Sequence, residues 1–218
     1  AHFEALEIER LEEDPLLWQP HFSDMRELTV VDEEGAIQGP SAWRAENGVL
    51  VQSSNIHTPD RSAFQRGTYA WGGHPDGSDL QISVRLRSDD GAIGVMFRLK
   101  DSRNYYRFSM DNLEGFRRLV KVVDGSATTL WQDSERYTAG KRHELTLRAV
   151  GSDLRGFLDG TPIFAVYDSS LKRGRIGLCC WDNTTARFER VVVIDQTRRI
   201  GQWRIIDEGT VQGPSFWQ

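Results

Sequence analysis

The most suggestive chemistry in the chain is a set of cationic and aromatic residues spaced for strands: Arg85, then Arg98, Tyr105 and Arg107, then Arg117 and Lys121. Arginine presents a planar fork of N–H donors and a tyrosine ring gives a sugar a surface to pack on, so the set suits an anionic or hydroxyl-rich ligand. Trp71 and Trp181 stand beside glycine or aspartate near strand ends, where rim loops can stack a ring on a sugar. Each also reads as an ordinary core residue, and the cations as a solvated surface balanced by Asp101, Asp111 and Glu114.

Other chemistries find less support. His2, His21, His57, His74 and His143 are dispersed, and only His143 falls in an expected strand. The spacings of a serine-hydrolase elbow, a zinc protease helix, a phosphate loop and a zinc finger are all missing. Cys179 and Cys180 are adjacent, which gives no disulfide framework, and nothing near them marks a nucleophile. Glu7 and Glu9 would share a strand face and read as a solvated pair, whereas Asp89 and Asp90 precede Gly91 and read as a turn. The 218 residues carry 27 Lys+Arg against 32 Asp+Glu, a net charge of −5, so the chain as a whole offers nucleic acid no electrostatic sink. No apolar run approaches the roughly 20 residues of a membrane helix, so no membrane insertion is expected.

The elements that must position these residues are strands. Leu80, Ile82, Val84 and Leu86 alternate with Gln81, Ser83, Arg85 and Arg87, the period of a strand with one face in a core. Ile93, Val95 and Phe97 repeat it, as do Tyr106, Phe108 and Met110. Asp124-Gly125 and Asp159-Gly160 sit between apolar runs as two-residue hairpin turns. About thirteen short strands result, helix is minor, and the fold class is an all-β, two-sheet antiparallel sandwich or jelly roll.

If residues 100–103 form a hairpin turn, Arg98 pairs with Tyr105, Phe97 with Tyr106 and Met96 with Arg107. Arg98, Tyr105 and Arg107 then share the face opposite the core. A loop over residues 111–115 adds Arg117 and Lys121 to that face, and the preceding strand adds Arg85 and Arg87.

Internal repetition sets the domain boundaries. Residues 31–43 return as 206–217, including Gln-Gly-Pro-Ser-x-Trp, with Asp207 opposite Asp32 and Trp217 opposite Trp43. Residues 1–9 resemble residues 186–194. The expectation is a tandem array cut out of phase. Residues 1–10 would be the last strand of a preceding repeat, 11–26 a linker broken at Pro15 and Pro20, 27–195 one whole unit, and 196–218 a linker and the first strand of a following repeat. Both end strands should pair with the central sandwich or with a neighbouring copy.

Within 27–195, the run Gly91-Ala92-Ile93-Gly94-Val95-Met96-Phe97-Arg98, followed by Asp101 and Asn104-Tyr105-Tyr106-Arg107-Phe108, resembles the laminin-G-like branch of the concanavalin A-like lectin/glucanase superfamily. So do Leu158-Asp159-Gly160-Thr161-Pro162, Gly174-Arg175-Ile176-Gly177-Leu178 and Phe188-Glu189-Arg190-Val191. Laminarinase-like members use a Glu-x-Asp-x-x-Glu strand motif, which this sequence lacks. The 3-keto-disaccharide hydrolase branch is similar in fold, but its acids cannot be matched residue by residue. The resemblance also implies a structural calcium, for which Asp32, the carbonyl of Gly48 and Asp195 are the matching positions.

The expected function is a noncatalytic, extracellular or cell-surface binding or adhesion module whose partners are a polysaccharide or glycoconjugate and neighbouring repeats of the same chain. A sugar-processing enzyme and a spacer repeat are the alternatives. Asn183-Thr184-Thr185 spells a glycosylation acceptor.

Overall fold

The computed structural model describes residues 16–59 and 64–196. The end strands expected at 1–10 and 202–207, with Glu7, Glu9, Asp207 and Trp217, lie outside the described residues. Among the described residues fifteen strands, numbered β1 to β15 along the chain, form two antiparallel sheets, and there is no helix. One sheet has eight strands: β13 (Thr161–Tyr167), β12 (Asp153–Leu158), β11 (His143–Val150), β6 (Leu80–Arg87), β15 (Ala186–Asp195), β4 (Val49–Gln52) and β3 (Trp43–Glu46) in spatial order, with β1 (Leu16–Trp18) also on β15. The other has seven: β10 (Ser126–Asp133), β9 (Phe116–Val123), β8 (Asn104–Asp111), β7 (Ala92–Asp101), β14 (Arg175–Trp181), β5 (Thr68–Gly72) and β2 (Thr29–Asp32). The chain crosses repeatedly between the sheets, for example from β4 to β5, β6 to β7, β10 to β11 and β13 to β14, as in a jelly roll.

The core lies where the two inner faces meet. Leu80, Ile82, Val84 and Leu86 of β6 pack there against Ile93, Val95, Phe97, Tyr106, Phe108 and Met110 of the facing sheet. Both expected hairpins form, with Asp124 and Gly125, and Asp159 and Gly160, all at positive φ. Within the segment read as a linker, Leu16–Trp18 is instead a strand, registered on Ile194 and Val193 along the part of β15 that β4 leaves open.

The two sheets differ outside the core. The outer face of β6 keeps its polar residues half-exposed, but residues 92–99 of β7 and 105–111 of β8 are buried on both faces. A second apolar layer, Tyr69, Met96, Leu99, Tyr105, Val120, Val122 and Cys179, lies on the outer side of the seven-stranded sheet. The segment between β4 and β5 helps to cover it. Gly67, at φ 68°, passes so close to β14 that a Cβ there would stand 2.3 Å from the Cys180 carbonyl oxygen. Glu33 fixes the same segment, accepting hydrogen bonds from the Arg66 and Gly67 N–H groups at 2.7 and 2.8 Å.

Candidate functional site

The register determines which expected site residues meet. Met96↔Arg107 and Phe97↔Tyr106 pair as the sequence implies, and Arg107 and Tyr105 face outward from the seven-stranded sheet. The pairing shifts beyond Phe97, because Arg98 takes φ 46° and forms a bulge. Its side chain leaves the face and is 1% exposed, donating to the carbonyls of Ser78, Gly151 and Leu171. Arg98 is therefore a clamp between loops and not part of the outward set.

Arg117 and Lys121 are also displaced from it. The β8–β9 loop spans only 112–115, with Asp111↔Phe116, so Arg117 stands opposite Met110 and Lys121 opposite Tyr106 on the inward side. A one-residue difference in loop length moves every side chain of a strand to the other face. Arg117 pairs with Asp133, and Lys121 Nζ with Asp168 and Ser170, at the sandwich margin. Burial works to raise the Asp168 carboxyl, but hydrogen bonds from Lys121, Tyr106 and Ser170 overcome it and hold the group well below the usual carboxylate range. Arg85 lies in the other sheet, opposite Glu144 and Arg190, because residues 88–91 carry the chain across the sandwich rather than around a hairpin.

What the outer face does assemble is a row of rings crossed by arginines. Trp181 is 3% exposed beneath the Arg107 guanidinium, 4.4 Å from the ring centroid, while Trp71 is half-buried beneath Arg175 at 4.6 Å. Arg107 also donates to the Gln65 carbonyl at 2.6 Å. Arg66 stretches across the sheet to the β7–β8 tip, donating to the Ser102 carbonyl at 3.0 Å. Arg118 lies over both Phe116 and Phe64, at 4.1 and 5.7 Å. Beneath Arg66 and Arg107, burial pushes the Tyr69 and Tyr105 phenols up, and the nearby guanidinium charges oppose that rise. Among the described residues, Arg66 Nε, Arg107 Nε and Ser109 Oγ are buried polar atoms without a hydrogen-bond partner.

Of the expected residues, Tyr105, Arg107, Trp71 and Trp181 lie on this face, Trp181 buried within β14 and not presented on a rim loop, and Arg66, Tyr69, Arg118 and Arg175 join them there unexpected from the sequence. Tyr69 and Trp71, two apart in one strand, share a face, and that spacing was available from the sequence. Arg66 lies in a loop and carries no such signal.

The calcium positions do not come together. Asp32 pairs with Thr68 and Thr68 with Cys180, whose Sγ lies 3.5 Å from Gln52, the partner of Ala186 at the start of β15. Asp195 closes the same strand, roughly 30 Å along it at a strand rise of about 3.3 Å. Gly48 turns between β3 and β4 at φ 79°, near the His21 carbonyl. Among the described residues no three of His, Cys, Asp and Glu are grouped to hold a metal. The Asn183 acceptor is fully buried, its Nδ2 donating to the carbonyls of Asp90 and Ala92, so the folded domain does not present it for glycosylation.

Three solved structures place the fold. The carbohydrate binding module CBM66 from Bacillus subtilis has a TM-score of 0.61 and 23% identity, covering 78% of this chain and 97% of its own. A Bacillus subtilis protein of unknown function with a galectin-like fold also reaches 0.61, at 11% identity over 84% of this chain and 97% of its own. A prokaryotic beta-1,3-1,4-glucanase (lichenase) derived from a mouse hindgut metagenome reaches 0.59, at 14% identity over 82% and 98%. The chain thus has a jelly-roll β-sandwich fold, one shared by a carbohydrate binding module and a glucanase. No protein-family description matches the sequence, and no curated protein does.

Proposed function

We propose that the chain is a noncatalytic glycan-binding module whose ligand lies on the outer face of the seven-stranded sheet. The observation that carries this reading is the half-buried Trp71–Arg175 pair, with Trp71 packed against the outer layer that holds Tyr69 and Tyr105. Rings supply a surface for C–H packing, and the guanidinium forks supply donors for sugar hydroxyls.

The acids bordering the face argue for binding over hydrolysis. Glu33 is bonded to two backbone N–H groups, Asp101 to the Arg103 N–H and Asp111 to the N–H groups of Leu113 and Glu114. Glycosidase chemistry needs one carboxyl free to give a proton and a second facing it across the scissile bond. Carboxylates tied to backbone donors suit loop fixation instead.

The test is calorimetry of the whole chain against mixed-linkage β-glucan, xylan, a fructan and an acidic polysaccharide, with product analysis of each mixture. Saturable binding to at least one polymer without product is expected. Binding to none would overturn the reading, and release of sugar would replace it with an enzyme.

A further inference from the structure

We propose that the cleft at one end of the sandwich is a second ligand site, built for a single neutral sugar ring. The β5–β6, β11–β12 and β13–β14 connections converge there around a cleft of about 650 Å³, a size typical of small-molecule sites. Asp76, Asp79, Ser152, Ser169, Lys172 and Arg173 line it, and Arg98 forms its floor.

The floor is fixed in advance. Arg98 Nη1 donates to the carbonyls of Gly151 and Leu171 at 2.8 and 2.9 Å, and Nε and Nη2 to Ser78 at 3.2 and 3.1 Å. Asp79 accepts the Gly151 N–H at 2.8 Å and stands 3.6 Å from Arg98. Gly174 donates to the Gly77 carbonyl at 3.0 Å and lies so close to β7 that a Cβ would stand 2.4 Å from the Arg98 carbonyl carbon. A buried arginine at positive φ, on a bulge, ties all three connections into one wall. Bulges recur where a strand must re-aim a side chain beside a site.

The lining chemistry selects the ligand. Arg98 is committed to carbonyls, and Arg173 meets Asp76 at 3.5 Å across the mouth, where both are largely exposed. Such a pair is weak and opens readily. Carboxylates there accept hydroxyl protons, Lys172 and Arg173 donate, and the hydroxyls of Ser78, Ser152 and Ser169 do both, which matches vicinal hydroxyl groups. Asp79 and Asp76 offset the charges of Arg98 and Arg173, which removes most of the pull on an anion. Among the described residues no aromatic side chain lines the cleft, so the ligand is gripped at its edges by hydrogen bonds and not stacked.

Amide-detected NMR titration of the whole chain tests this, using D-glucose, D-galactose, D-fructose and inorganic phosphate as separate probes. At least one sugar should move the Gly151, Ser152, Ser169 and Lys172 amides saturably, while phosphate leaves them in place. The Asp76→Ala/Lys172→Ala variant should weaken that sugar tenfold or more with the melting temperature unchanged, because both side chains sit at the exposed mouth. No saturable shift with any sugar, a response to phosphate alone, or unaltered affinity in the variant would each overturn the proposal. The Trp71 indole signal reports the sheet face separately, so either site can fail while the other stands.

Discussion

The outer faces of the two sheets both carry arginines and use them in opposite ways. On the eight-stranded sheet, Arg85 faces Glu144, and the exposed Arg142 and Arg155 meet Glu189 and Asp153. On the seven-stranded sheet, Arg107 is 1% exposed, clamped between the Trp181 ring and the Gln65 carbonyl. An exposed ion pair contributes about 0–1 kcal/mol because water screens it and side-chain entropy opposes it. A buried guanidinium must have its hydrogen bonds supplied by the fold, and losing the matching geometry is costly. Residue type alone therefore does not mark the functional face; what covers the arginine does.

Breaking that contrast should produce effects of graded size. Arg98→Ala removes the clamp and strands the Ser78, Gly151 and Leu171 carbonyls, and chemical denaturation should show a loss of about 3–5 kcal/mol. A loss under about 1 kcal/mol would contradict its role as the joint between the end loops. Acid should act on the eight-stranded side through Asp159. Burial works to raise its carboxyl, but the Lys141 hydrogen bond, the Glu144 N–H and His143 together hold it at about 2. Because the folded value lies below the unfolded one, this stabilisation is complete above about pH 4 and fades as the pH falls toward 2. It amounts to on the order of 1 kcal/mol after solvent screening. Asp159→Asn should flatten the corresponding part of a stability-versus-pH curve, and an unchanged slope would remove Asp159 from the account. Smallest of all, Arg85→Ala should shift stability by no more than about 0.5 kcal/mol.

The sequence made much of the fold legible, for identifiable reasons. The β6 alternation and both Asp-Gly turns follow directly from side-chain period and positive-φ preference. The β7–β8 register is right as far as Phe97 and Tyr106, because core hydrophobes fix it there. The bulge at Arg98 escaped notice, since nothing about an arginine signals positive φ. The crossing at 88–91 escaped too. It has the length of a hairpin loop, and what makes it a corner is distant chain: Ser88 Oγ on Asn183, Asn183 on the Ala92 carbonyl, and Tyr137 on the Gly91 carbonyl.

The duplicated Asp…Gly-Pro-Ser-x-Trp segment gains a physical reason in its described copy. Asp32 accepts the Ser41 N–H at 2.9 Å, and Thr68 bridges the Ser41 hydroxyl and the Trp43 indole N–H at 3.0 and 2.8 Å. The repeated residues are the ones that latch the end of β2 to β3 and β5.

The central claim, that ligand binds the ring-lined outer face and not the charged face of the other sheet, is tested most directly by one paired titration. Calorimetry of the best-bound polysaccharide should compare Trp71→Ala with Arg85→Ala, each with its melting curve. The account predicts at least a tenfold loss for Trp71→Ala, about 1.4 kcal/mol, and unchanged affinity for Arg85→Ala. Equal affinity in both variants, or a loss confined to Arg85→Ala, would contradict it.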